Sequence, residues 1–146
     1  MTYVILNKGN LIDLAELSKL DILSMVISSV CHDYGHDGFT NAYHINAMSE
    51  RAIRYSDKSV QENFHCAESF AILSSDEFNF MAGFSRDDFV AFRKRFIGII
   101  LATDMAKHMN DIASIKALIE SKGVEAGKNA EQLIDHESAT KKFDSQ

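Results

Sequence analysis

The run His32-Asp33-Tyr34-Gly35-His36-Asp37-Gly38-Phe39-Thr40-Asn41-Ala42-Tyr43 places two imidazoles and two carboxylates within six positions. Adjacent His32 and Asp33 can put a ring nitrogen and a carboxylate oxygen on one divalent metal ion. His36 lies one short turn further on, where it can hold a water. That set of groups suits metal-assisted hydrolysis. The alternative is a polar helix end in which Asp33 bonds nearby backbone. Because Gly35 interrupts the spacing between the two histidines, His36 reads as a group that holds water or a substrate oxygen rather than as a second ligand on one regular helix face. Asp37 reads as an exposed turn residue, and His44 as a surface or internally satisfied histidine.

Two further places carry chemistry-bearing residues. Glu62 precedes His65 by three positions, a spacing found in metal sites of helical bundles and also on solvated faces. Glu62 also closes the pattern Ser59-Val60-Gln61-Glu62, which reads as a capping box. Thr103-Asp104 interrupts an apolar stripe, as a kinked or broken helix with a side chain bonded to backbone would.

These groups must be positioned by helices. The 146 residues suit one domain with a real core. Hydrophobic residues make up 46% and charged residues 25%, an ordinary balance for a globular protein. Proline is absent, and apolar residues recur at spacings of three and four. An all-α fold follows.

Ser18-Lys19-Leu20-Asp21 reads as a capping box opening a helix through Val30, apolar nearly all round as in a central buried helix. Short helices are expected over Asn41 to Met48 and Glu50 to Tyr55. Val60, Phe64, Ala67, Phe70 and Ala71 mark the inward stripe of another. Ser85-Arg86-Asp87-Asp88 opens a long helix with Phe89, Phe92, Phe96, Ile99 and Ile100 inward and Arg93 to Arg95 on a solvated face. Its pattern continues, with a kink near Thr103, to Leu118. From 123 to 146 a polar loop or tail is expected, with a weak helical turn around Gln132 to Asp135.

Charge and cysteine use exclude several classes. A net charge of -6 offers no basic stripe for nucleic acid. Cys31 and Cys66 read as buried thiols in a reducing compartment. No segment is long and apolar enough for a membrane span, and the N-terminus shows no signal-peptide pattern. A cytoplasmic protein is expected, a cilium or another cytosol-connected space included.

The run from His32 to Tyr43 resembles the signature of the class I cyclic nucleotide phosphodiesterases, H-D-x-x-H-x-G-x-x-N. Ser59-Val60-Gln61-Glu62-Asn63-Phe64-His65 is similar to that family's S-V-x-E-N-x-H. Leu101-Ala102-Thr103-Asp104-Met105-Ala106-Lys107-His108 is similar to its L-A-T-D-M-x-K-H. The match covers roughly residues 11–122. Asp37 stands where the family usually has proline.

The resemblance implies an all-α, multi-helix catalytic domain of HD type. It implies hydrolysis of the cyclic phosphodiester of cAMP or cGMP to a 5′-monophosphate, with Zn2+ and Mg2+ (or Mn2+) as cofactors. By motif position, His32 becomes a zinc ligand and Asp33 the carboxylate bridging both metals. His36 and Glu62 stand around the second metal's water and the attacking nucleophile. Thr103 and Asp104 form the wall and water network near that metal. Asn41 and His65 are structural or outer groups.

The family's upstream histidine motif, later zinc aspartate and purine-binding glutamine have no counterpart here, since Asp135 and Asp144 fit no such motif. Residues 1–146 are therefore expected to be part of a domain, with two of four zinc ligands, no general-acid histidine and negligible turnover alone. Two alternatives stand beside this reading. One is a non-catalytic module whose exposed core faces are covered by protein partners. The other is a different HD-type phosphohydrolase, which the two downstream motifs disfavour.

Overall fold

A computed structural model describes residues 1–121, so the expectations for residues 123–146, including the turn around Gln132 and the aspartates Asp135 and Asp144, lie outside the described residues. Helices run in the order α1 (Thr2–Asn7), α2 (Leu11–Leu14), α3 (Lys19–Cys31), α4 (Asn41–Asn46), α5 (Glu50–Arg54), α6 (Val60–Leu73), α7 (Arg86–Leu101) and α8 (Met105–Ser121), with a 3-10 turn over Phe80–Gly83. No strand occurs among the described residues. The two short helices before α6 and the start of α7 fall within two residues of their expected bounds.

The core is an aromatic cluster between α3, α6 and α7. Cys66, Phe70, Met81, Phe92, Phe96 and Ile100 are buried, with Leu20, Leu23 and Ile27 of α3 packed against them. The rings meet edge to face: Phe70 on Phe96 at 5.3 Å and 75°, Phe80 on Phe92 at 5.6 Å and 88°. This geometry sets positive ring edges on negative faces. Arg93 lies over the Phe70 ring at 4.3 Å, and Arg95 bonds Asp21 of α3. The basic run is thus not simply solvated; two of its members hold down their neighbours.

The Ser18–Asp21 capping box forms in both directions, and Ser85 caps α7 by accepting from the Asp88 N–H. α3 itself departs from the expected all-round burial. Its fully buried residues are Ser24 and Ser28, while Val26 is 41% and Val30 78% exposed. The small serines share a stripe with Leu20 and Ile27, and α1, α6 and α7 pack on that side among the described residues.

α6 departs more informatively. Ala67 and Ala71, expected inward, are exposed, while Gln61, His65 and Ser69 are buried. Each of these three, spaced four apart and so stacked along one face, catches a main-chain carbonyl. Ser69 Oγ donates to Cys31 O, His65 Nδ1 to Tyr34 O and Gln61 Nε2 to Phe39 O. Burial follows the hydrogen bonds, because an unpartnered buried carbonyl is costly.

The Ser59 capping box does not form. Ser59 takes a left-handed conformation (φ 42°) and makes no cap bond. Its hydroxyl donates instead to Asp104 Oδ2 at 2.7 Å. Asn41 supplies the cap from outside the helix, its Oδ1 accepting the Gln61 N–H at 2.8 Å.

Asp37 is also more than an exposed turn. Its carboxylate accepts from Gln61 Nε2 (2.7 Å), the Phe39 N–H (3.2 Å) and buried His44, and lies 3.1 Å from Arg51. Partial burial raises its pKa, but those hydrogen bonds and the Arg51 charge outweigh it and bring the carboxyl down to about 2. His44, which also contacts Ser49 Oγ, is a satisfied core histidine.

Three outcomes follow. Phe92, fully buried among four rings, should cost about 3–5 kcal/mol when replaced by alanine. Val30→Ser should leave the urea midpoint nearly unchanged. Because the Asp37 pKa is depressed on folding, its contribution is present above the unfolded value near 3.8 and is lost as pH falls through about 2. The gap in urea midpoint between the unsubstituted chain and Asp37→Asn should therefore be constant above about pH 5 and close between about pH 4 and pH 2.

Candidate catalytic site

The C-terminal end of α3, the first turn of α6 and the α7–α8 junction face one cavity of about 710 Å³. Its lining includes His32, Asp33, His36, Glu62, Thr103 and Asp104, the six side chains singled out from the sequence. Segments up to 72 positions apart thus converge on one space.

His32 caps α3. Its Nδ1 lies 2.9 Å from Ser29 O, so that nitrogen carries the proton and donates to a carbonyl of the last helical turn. In the neutral ring the lone pair is on Nε2, which lies 3.2 Å from Asp33 Oδ2. A nitrogen and a carboxylate oxygen this close, both partly open to solvent, suit a shared cation. Among the described residues no three His, Cys, Asp or Glu side chains gather as a metal-binding group.

The next turn sets the other imidazoles. Gly35 has φ +70°, where glycine is favoured, and a Cβ there would crowd the Phe64 ring at 3.0 Å. His36 Nδ1 accepts the Gly38 N–H at 2.9 Å, which places the His36 proton on Nε2. His36 is therefore a hydrogen-bond donor at the nitrogen opposite that contact, the reverse of His32. His65 stacks beside it at 5.5 Å, with its Nε2 4.0 Å from Asp33 Oδ1. Burial lowers the His65 pKa, outweighing the Tyr34 carbonyl and the Asp33 charge, so the ring is held neutral.

Glu62 stands on the first turn of α6 with Oε2 accepting from Asn41 Nδ2 at 2.9 Å. One asparagine side chain thereby holds both the Gln61 N–H and the Glu62 carboxylate. Across the cavity, the helix is broken at Thr103-Asp104, the second of the two forms expected there. α7 ends at Leu101, and Thr103 Oγ1 turns back to Ile100 O at 2.7 Å. Asp104, 7% exposed, accepts from the Ala106 N–H at 2.9 Å and from Ser59. Its carboxylate starts α8 and ties it to the start of α6.

Sequence reasoning gave no role to Gln61, Arg51 or His108. Gln61 has a readable signal, since it begins the four-residue polar spacing Gln61-His65-Ser69 along one face of α6. His108 lines the cavity from α8. Cys31 and Cys66 are free thiols, as expected. Burial raises both, Cys66 to about 11, so they are poor nucleophiles.

The family model described as 3'5'-cyclic nucleotide phosphodiesterase matches residues 1–144. The "Probable 3',5'-cyclic-AMP phosphodiesterase pde-4" of Caenorhabditis elegans is 44% identical over 112 residues, 77% of this chain and 16% of that protein. The human high affinity cGMP-specific 3',5'-cyclic phosphodiesterase 9A is 42% identical over 106 residues, 73% of this chain and 18% of that protein. The crystal structure of the phosphodiesterase domain of a RhoPDE fusion protein from the choanoflagellate Salpingoeca rosetta superposes with a TM-score of 0.71 at 34% identity. That match covers 81% of this chain and 38% of that one. The chain thus spans less than a fifth of these two relatives and well under half of the solved domain. With the three motifs gathered on one cavity of an all-helical fold, the chain belongs to the 3',5'-cyclic nucleotide phosphodiesterase family.

Proposed function

We propose that residues 1–146 form part of a catalytic domain that hydrolyses the cyclic phosphodiester of cAMP, cGMP or both to the 5′-monophosphate. The observation that carries this reading is the convergence of His32, Asp33, His36, Glu62, Thr103 and Asp104 on one cavity in a chain of this family. Members of the family depend on metal ions. The donor set fits such an ion: an imidazole with its lone pair on Nε2 beside a carboxylate. His32 and Asp33 would hold Zn2+ with Mg2+ or Mn2+ nearby. A bound divalent cation would supply charge neutralisation at the phosphoryl group and a water acidic enough to act at neutral pH.

The chain's own groups have separable tasks. His36, protonated on Nε2, donates to water or a phosphoryl oxygen. Glu62 accepts a proton from water, its carboxylate held by Asn41. Neutral His65 keeps a competing positive charge out of the site. Thr103 and Asp104 close the far wall.

Free thiols support a reducing, cytoplasmic setting. Among the described residues no helix is long and apolar enough to cross a membrane. One observation favours a second role as an interaction module: Val30, Ile53, Met105 and Met109 are each more than 70% exposed. Protein surface that covers them, from whatever source, would be apolar.

Titrating Mn2+ into the purified chain checks the site. His32→Ala and Asp33→Asn should each weaken binding about tenfold or more, while Glu62→Gln should change it little. Turnover of cAMP and cGMP, negligible for this chain alone, would fall with Glu62→Gln wherever it is measurable. Unchanged Mn2+ affinity in both ligand variants would remove the reading.

A further inference from the structure

The loop that carries His36 is held by three side chains that lie outside the residues shared with the family's motifs. Arg51 of α5 donates from Nη1 to Gln61 Oε1 at 2.7 Å and from Nη2 to Gly35 O at 3.4 Å. Its guanidinium lies 3.5 Å from the centre of the Phe64 ring, the ring that Gly35 abuts. The other two members are Asp37, which faces the same guanidinium, and Gln61, which bonds Asp37 and the Phe39 carbonyl. Arg51, Gln61 and Asp37 thus close a ring in which each touches the other two. Asp37 stands where the resembling family usually has proline, and Gln61 and Phe64 fill the open positions of S-V-x-E-N-x-H.

Proline would stiffen this turn through its fixed φ. In its place the ring grips the main chain on both sides of His36, at Gly35 O and at Phe39 O. Between those points lies the Gly38 N–H that selects the His36 tautomer. A planar, forked guanidinium is suited to this, since it serves a carboxylate, an amide and a carbonyl at once.

We propose that Asp37, Arg51 and Gln61 are coupled positioning residues that fix the His36 ring and its Nε2-protonated form at the cavity. The consequence for catalysis rests on the proposed function, but the positioning itself can be read without metal or substrate.

The test uses the 15N-labelled full chain at about pH 8, where free imidazoles are neutral. The unsubstituted chain should show His36 as a single Nε2-protonated tautomer. Arg51→Met and Asp37→Asn should each move the His36 nitrogen shifts toward a tautomer mixture and speed Gly38 amide exchange roughly tenfold. The double variant should be less destabilised than the sum of the two singles, because each single leaves a charged or polar partner unpaired. Arg51→Lys, which keeps the charge and loses the fork, should restore part of the His36 signature. Leu73→Ala, a core change in α6 away from the loop, should lower stability and leave the signature intact.

Clamp variants that lose stability with unchanged His36 shifts and Gly38 exchange would overturn the proposal. So would a Leu73→Ala chain that shows the same changes. Neither readout involves the Mn2+ titration that tests His32 and Asp33, so the two readings fail separately.

Discussion

Three polar side chains on one face of α6 decide where everything else in the site can stand. Gln61, His65 and Ser69 take the carbonyls of Phe39, Tyr34 and Cys31 in reverse chain order. The end of α3 and the loop after it are therefore laid antiparallel along α6, one helical turn per bond. A helix C-terminus leaves four carbonyls without partners, and a glycine-containing loop leaves more. Anchoring them to a neighbouring helix satisfies the backbone and, by the same bonds, sets His32, Asp33 and His36 beside Glu62. Packing alone would not fix this register, because apolar contacts are non-directional.

The two tautomers at the site are products of the same arrangement. His32 donates from Nδ1 to its own helix and offers a lone pair outward; His36 accepts at Nδ1 from its own turn and offers a proton. Two identical side chains four positions apart thus turn different nitrogens outward, one able to accept and the other able to donate. The direct contact that makes each assignment is to a backbone group, Ser29 O for His32 and the Gly38 N–H for His36. Asp37 and Arg51 act one step removed, on the turn that supplies the Gly38 N–H.

How much of this is legible in the sequence depends on what carries the signal. The helices α3 and α7 follow from apolar spacing and Ser caps, and α6 from apolar spacing without its cap, since those are local features. The six cavity residues follow from the motifs. The faces of α3 and α6 do not. Ser24 and Ser28 look like surface residues, yet they are buried because small side chains let helices approach. Ala67 looks like core, yet it faces outward because Gln61 and His65 have carbonyls to meet 22 and 31 positions away. Ser59 fails as a cap for a related reason. Its hydroxyl has a partner at Asp104, 45 positions on, and a long-range acceptor is invisible to a four-residue pattern. Asp37 is misread in the same way, since Arg51 and Gln61 become its neighbours only after folding.

The Ser59–Asp104 bond has an electrostatic corollary. It ties the beginning of α6 to the beginning of α8, and the first turns of both helices line the same cavity. The positive ends of two helix dipoles therefore meet there, one behind Gln61 and Glu62 and the other behind Met105 and Ala106. These ends stand beside the carboxylates of Asp33, Glu62 and Asp104, so they offset part of the negative charge that lines the cavity.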